Sequence, residues 1–134
     1  MSKPTPLLPC IALFLIIPSM LACGGGNRQL QSLSISPATA STQVQFTAIG
    51  TFSGSGHTSA VSALWWPNQP WTYPPTPIPQ VITLSSTGLA QCTSFAPAGT
   101  YMIWAVAPVD PGVPLSQVSM TTPQVVATAQ LTCP

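Results

Sequence analysis

Charge is nearly missing from this chain. It has no glutamate, one aspartate (Asp110), one histidine (His57) and two cations (Lys3 and Arg28), so charged residues make up only 2% of it. So few Lys and Arg cannot neutralise a run of phosphates, which excludes nucleic acid as a partner. No polybasic patch for anionic lipid exists either. With a single carboxylate, paired-carboxylate acid/base chemistry is excluded within one chain. A metal site would need His57, Asp110 and cysteines together, so neither a metal nor another cofactor is expected. A Ser-His-Asp triad can be composed only formally, from His57, Asp110 and some serine. His57 falls in a Gly/Ser turn and Asp110 in an Asp-Pro-Gly turn, where both read as solvated loop residues. The Ser53 to Gly56 turn lacks the strand–turn–helix setting of a nucleophile elbow, and no helix or Lys follows to make a phosphate loop. The chain therefore reads as no enzyme. Long apolar runs are also missing: none reaches the about 20 residues that a membrane-spanning helix needs. Past the N-terminal segment there is no apolar 3.6-residue period and no capping box, so no helix is expected.

What is present begins with the N-terminus. Lys3 precedes a short apolar stretch from Leu7 to Ile17, broken by Pro9 and closed by Pro18. This arrangement fits a secretory signal, and it ends on Met20-Leu21-Ala22-Cys23-Gly24. A small residue directly before a cysteine at the end of such a segment resembles the lipobox of bacterial lipoproteins. The resemblance implies that Cys23 receives a diacylglycerol and that cleavage just before it makes Cys23 the anchored first residue. Residues 1–22 are then a lipoprotein signal peptide, 23–29 a lipidated tether, and 30–134 a folded domain. It further implies a place in the bacterial cell envelope, with the membrane reached through the lipid anchor. Gly24 stands where an inner-membrane retention signal would have Asp, which implies the outer membrane. Two alternatives stay open: an uncleaved N-terminal anchor helix, and ordinary cleavage without lipidation. The second survives because Leu followed by Ser or Ala is the more usual lead into Ala-Cys. Gly24 to Gln29, fully extended, spans about 20 Å, so the domain rides close to the bilayer.

The chain has four cysteines. With Cys10 in the signal and Cys23 at the lipid, Cys92 and Cys133 remain as an even pair in an oxidising compartment. A disulfide between them is the natural reading; two separate buried thiols are the alternative.

The mature part is apolar enough, and patterned enough, to fold despite its low charge. Leu33 and Ile35 alternate with serines up to Pro37 and predict a first strand. Val44, Phe46, Ala48, Gly50 and Phe52 alternate with Gln45, Thr47, Ile49 and Thr51 and predict one long strand. After a Ser53-Gly54-Ser55-Gly56 turn, Val61, Ala63 and Trp65 share a face of a third strand, with Trp66 on the other unless a bulge exchanges them. Ile82 and Leu84, then Leu89 to Cys92, flank a turn at Ser86-Thr87-Gly88. Tyr101, Ile103, Ala105 and Ala107 predict another strand, and Val125 to Cys133 the last. The stretch 113–123 reads as a long loop or a weak extra strand around Leu115 to Val118. Between the third and fourth strands, the segment 67–79 is crowded with prolines around Trp71 and Tyr73. Such a segment cannot be a central strand and favours extended, polyproline-like backbone.

Short alternating strands separated by turns argue an all-β antiparallel sandwich, although barrels share that signature. The order of motifs adds more. Leu33-Ser34-Ile35-Ser36-Pro37, Phe46-Thr47-Ala48, a tryptophan strand, Gly88-Leu89-Ala90 and Gly99-Thr100-Tyr101-Met102-Ile103 resemble bacterial immunoglobulin-like domains of the invasin/intimin type, group 2. The resemblance covers about Leu30 to Cys133. It implies an immunoglobulin-like β-sandwich of about seven strands, with Trp65 at its centre and Tyr101 as a tyrosine corner. Ile103 stands where antibody domains have their second cysteine. The Cys92–Cys133 pair would therefore tie a middle strand to the last one instead. The function expected is non-catalytic: adhesion, or interaction with a surface protein or glycan. Trp71 and Tyr73 are the candidate ligand-binding residues, since aromatics on a rigid loop can stack on a sugar or fill a partner's pocket. Alternatively, they fold back to cap the sandwich. The rival from another class is a small hydrolase or carbohydrate-processing accessory module, which needs His57 and Asp110 to converge on a serine.

Overall fold

A computed structural model of the chain describes residues 28–54, 56–67, 70–71 and 81–134. The strands are β1 (Leu30–Ser36), β2 (Thr39–Ser41), β3 (Gln43–Gln45), β4 (Thr47–Phe52), β5 (Thr58–Ala60), β6 (Leu64–Trp66), β7 (Ile82–Leu84), β8 (Leu89–Cys92), β9 (Gly99–Pro108) and β10 (Gln124–Cys133). Strands β3 and β4 are halves of one segment, separated only by Phe46. One layer of the sandwich therefore combines β1-β4-β5 with β3-β8-β7, and the other is β2-β10-β9-β6. All pairings are antiparallel except that of β2, which runs parallel to the end of β10. Leaving aside the short β2 and β5, and counting β3 with β4, this is the all-β immunoglobulin-like sandwich of about seven strands.

The period-2 pattern decides which side chains face inward. Ile35, Phe46, Ala48, Ala63, Ile82, Ala90, Ile103, Ala105, Ala107, Ala129 and Leu131 form the buried cluster between the layers. Phe46, not Trp65, has the largest side chain fully inside. Trp65 is half-buried and lies over it, ring centroids 6.4 Å apart and nearly parallel. Trp66 points to the opposite face without any bulge in its pairing to β9. Phe46 also explains why the long strand is split: its N–H leaves the ladder and donates to Gly88 O at 2.9 Å. Gly88 has φ +90, and a Cβ there would stand 2.6 Å from Phe46 O and 2.8 Å from the Trp65 ring. Only glycine fits this approach. The stretch between β9 and β10 is a loop with a single 3-10 turn at Leu115–Gln117, not an extra strand. Tyr101 Oη donates to Pro97 O at 2.7 Å, two residues before the fully buried Ile103, which is the tyrosine-corner geometry.

The chain crosses between layers at Thr42. Its N–H donates to Thr132 O of β10 at 3.0 Å, and its carbonyl accepts the Cys92 N–H of β8 at 2.8 Å. Beside it, Cys92 and Cys133 are joined, with their Cα atoms 5.8 Å apart. The bond links the middle strand β8 to the last strand β10, and because these belong to opposite layers it also staples the layers together. Thr42 holds φ +63, where a β-branched residue is strained by about 1–3 kcal/mol. Thr42→Gly should therefore raise stability by about 0.5–1 kcal/mol after the added chain entropy of glycine is subtracted. Thr42→Pro, which loses the bond to Thr132 and cannot hold this φ, should cost about 3 kcal/mol. Urea melts of both variants check this; a destabilised glycine variant would contradict it.

The disulfide closes a loop with a sequence separation of 41 residues, for which chain entropy implies about 4 kcal/mol of stabilisation. Thiol counting in denaturant without reductant, on the Cys23→Ser protein, should find Cys92 and Cys133 blocked, and reduction should lower the urea midpoint accordingly.

Candidate functional site

Two places hold the residues that could act on a partner. The first is the outer face of the second layer. In β9 the side chains alternating with Ile103, Ala105 and Ala107 are Met102, Trp104 and Val106, and cross-strand pairing sets Trp66 of β6 and Thr128 of β10 on either side of Trp104. Met102 and Val126 are exposed there. Val106 faces the same way yet is fully buried, and it is not part of the interlayer cluster. Covering on this side is thus specific to the upper part of the face.

Trp71 belongs to this face. It follows Pro70, holds φ +64, and sets its ring 5.3 Å from that of Trp66, tilted by 53°. Trp71 is half-buried, so it does not project as a free platform. Among the described residues, the buried indole N–H groups of Trp66 and Trp71 meet no hydrogen-bond acceptor. Each such donor costs about 1–3 kcal/mol, which the contact between the rings and its apolar burial must offset. Tyr73 lies outside the described residues, as do Cys23 and the whole of 1–27.

The second place is the end of the sandwich where the chain enters. Leu30 N–H donates to Val109 O, Ser53 N–H to Gln29 O, and Phe52 N–H to His57 O. These bonds gather the start of β1, the β4–β5 turn and the β9–β10 loop. Arg28, His57, Ser59, Phe52 and Pro111 line a cavity of about 480 Å³ there. Phe52 and Pro111 also border a neighbouring cavity of about 440 Å³ with Leu30, Val61 and Leu115. Sequence reasoning missed this grouping; its only signal was that the charged residues after Cys23 are few enough for their positions to matter.

Among the described residues the arrangement does not assemble a catalytic triad. Asp110 Oδ1 accepts the N–H of Gly112 at 2.8 Å, closing its own turn. Among the described residues no hydrogen bond links His57 to Asp110 or to a serine, and a triad needs both links. Arg28, His57 and Asp110 are all exposed. Among the described residues no group of three or more His, Cys, Asp or Glu could hold a metal ion. None of the described helices is long and apolar enough to cross a membrane.

No protein-family model matches the chain, and no curated protein matches it.

The Trp66–Trp71 contact can be measured directly. In a double-mutant cycle with Trp66→Leu and Trp71→Leu, the coupling should be about 0.5–1.5 kcal/mol by urea denaturation. Zero coupling would mean that the rings do not share a surface in solution.

Proposed function

We propose that this protein is a non-catalytic lipoprotein of the bacterial cell envelope, anchored through Cys23 and presenting one immunoglobulin-like domain for adhesion or for interaction with a surface protein or glycan. The observation that carries the reading is the sequence Met20-Leu21-Ala22-Cys23-Gly24 standing just ahead of a sandwich whose first buried residue is Leu30. A lipid on Cys23 would leave only Gly24 to Gln29 as spacer. The resemblance to invasin/intimin-type domains supports the interaction role, and Gly24 after the cysteine supports the outer membrane. The tyrosine-corner bond of Tyr101 is consistent with that family reading.

Recognition would be uncharged. Trp104, Met102 and Val126, flanked by Thr128 and Gln130, form a neutral surface of apolar and hydroxyl or amide groups, suited to a neutral partner. With its indole against Trp66, Trp71 supports that surface and is not an independent anchor. The hydrolase alternative has less behind it: His57 and Ser59 share a cavity, but among the described residues neither is hydrogen-bonded into a relay.

Metabolic labelling with clickable palmitate in a bacterial host tests the anchor. The wild-type chain should be labelled and sediment with membranes, whereas Cys23→Ser should stay unlabelled and become soluble or remain unprocessed. Equal labelling of the two would end the lipoprotein reading.

A further inference from the structure

We infer that the end of the sandwich carrying Arg28, His57 and the β9–β10 loop is a seat for the phospholipid surface, so that the domain sits on the bilayer in one orientation. This rests on the reading of Cys23 as the lipid site.

The first observation is the position of the charges. Arg28 and His57 line the same cavity at the entry end, and Asp110 adjoins it through Pro111. These are all the Asp, Glu, Lys, Arg and His side chains after Cys23. The opposite end, with the Cys92–Cys133 bond and the turn from Thr93 to Pro97, has none. The guanidinium of Arg28 is exposed and has no carboxylate partner among the described residues, while Asp110 accepts a hydrogen bond from its own turn. A lipid phosphate or glycerol ester is the acceptor that Arg28 would meet at the membrane.

The second observation is apolar. Met120 is 68% exposed on the β9–β10 loop, and Pro111, Gly112 and Pro114 of the same loop are exposed too; Phe95, 84% exposed in the turn at the opposite end, is the competing apolar tip, and exchange at 93–98 reports on it. The loop is held to the entry end by Val109 N–H donating to Pro123 O and by Leu30 N–H donating to Val109 O. An unbranched apolar side chain between hydroxyl-bearing Ser119 and Thr121 suits the headgroup boundary, where apolar tips bury and hydroxyls stay hydrated.

The third is the length of chain outside the described part. Six residues, Gly24 to Gln29, separate Cys23 from Leu30 and reach about 20 Å at most. The entry end therefore cannot leave the membrane by more than that distance. Tethering converts docking into an intramolecular event at millimolar effective concentration. One cation and one inserted side chain, too weak to recruit the free domain, are then sufficient to orient the anchored one.

The test is amide hydrogen exchange on the full mature chain in vesicles of phosphatidylethanolamine and phosphatidylglycerol, compared with the Cys23→Ser protein mixed with the same vesicles. Exchange in 110–122 should be several-fold slower in the anchored chain, with 93–98 unchanged. Equal exchange in 110–122, or slowing at 93–98 instead, would overturn the seat. The exposed substitution Met120→Asp should restore fast exchange in 110–122 with an unchanged melting temperature; continued protection would also overturn it. Intact mass on the same samples reports acylation of Cys23. A chain without acyl mass refutes the anchor itself, whereas an acylated chain without protection refutes only the seat.

Discussion

The ring of Phe46 lies between the layers at the point where its own strand breaks, and most of the sandwich is arranged around that break. Its N–H is given up by the ladder and taken by Gly88 O, so the turn after β7 is drawn against the strand. Trp65 then covers the ring from the facing layer. Gly88 supplies a backbone with no side chain, which lets both approach. Gln45 reinforces the junction, its side-chain amide donating to Thr87 O and Phe46 O. Each contact depends on the others: a Cβ on Gly88 would push away both the carbonyl of Phe46 and the indole of Trp65. Burying a side chain of this size is worth about 1.5–3 kcal/mol, a large share of the about 5–15 kcal/mol that holds a domain folded.

Elsewhere the interior is built from small groups. Ala105 faces Ala127 across β9 and β10, and Ala48, Ala63, Ala90, Ala107 and Ala129 are buried with them. Alanine brings little apolar area per residue, though it also loses no rotamer freedom on burial. A thin interior of this kind leans on constraints outside it. The disulfide acts mainly on the unfolded chain, shrinking the ensemble that folding must overcome. It lies beside Thr42, where one residue carries the chain across the layers while bonded to both β10 and β8. The corner tolerates an unfavourable φ because two hydrogen bonds and a covalent bond fix the surrounding backbone. Strain of that sort persists only where neighbouring structure over-determines it.

Most of the strands were legible in the sequence because half-buried strands write their burial as a period of two. Leu33 and Ile35, Val44 to Phe52, and Val125 to Cys133 are cases where alternation and burial agree. Alternation reports only on packing against one face, and it failed where something else decided. It read Val44 to Phe52 as a single strand, because a diverted N–H at Phe46 leaves the side-chain phase intact. It missed β5, whose three residues are all exposed and so carry no pattern. It placed Val106 outward, which is correct, but could not show that the outer face is covered there. The tryptophan strand was read with the right phase, yet the centre was assigned to Trp65. Size favours tryptophan, but depth is set by the break at Phe46, a tertiary event. At the candidate sites, Trp71 was legible as an aromatic among prolines, but not its pairing with Trp66, five positions away on another element. The grouping of Arg28 with His57 depends on bonds between the β4–β5 turn and the start of β1, which no local pattern encodes.

The scarcity of charge shapes how such a domain can meet a partner. Without a field to steer encounters, association starts from the slower range for neutral surfaces, about 10⁵–10⁶ M⁻¹s⁻¹. Discrimination then rests on shape and on hydroxyl and amide hydrogen bonds, which act only at contact. Confinement to a surface compensates for the missing steering, because it raises local concentration without requiring any charge on the binding face. It also allows the few charges to be placed where they do not interfere with a neutral partner. Arg28, His57 and Asp110 stand at the entry end of the sandwich, leaving the β9–β10 face with none. The proposed lipid anchor and an uncharged recognition face would in this sense be one physical arrangement: the first would supply the encounters that the second cannot attract.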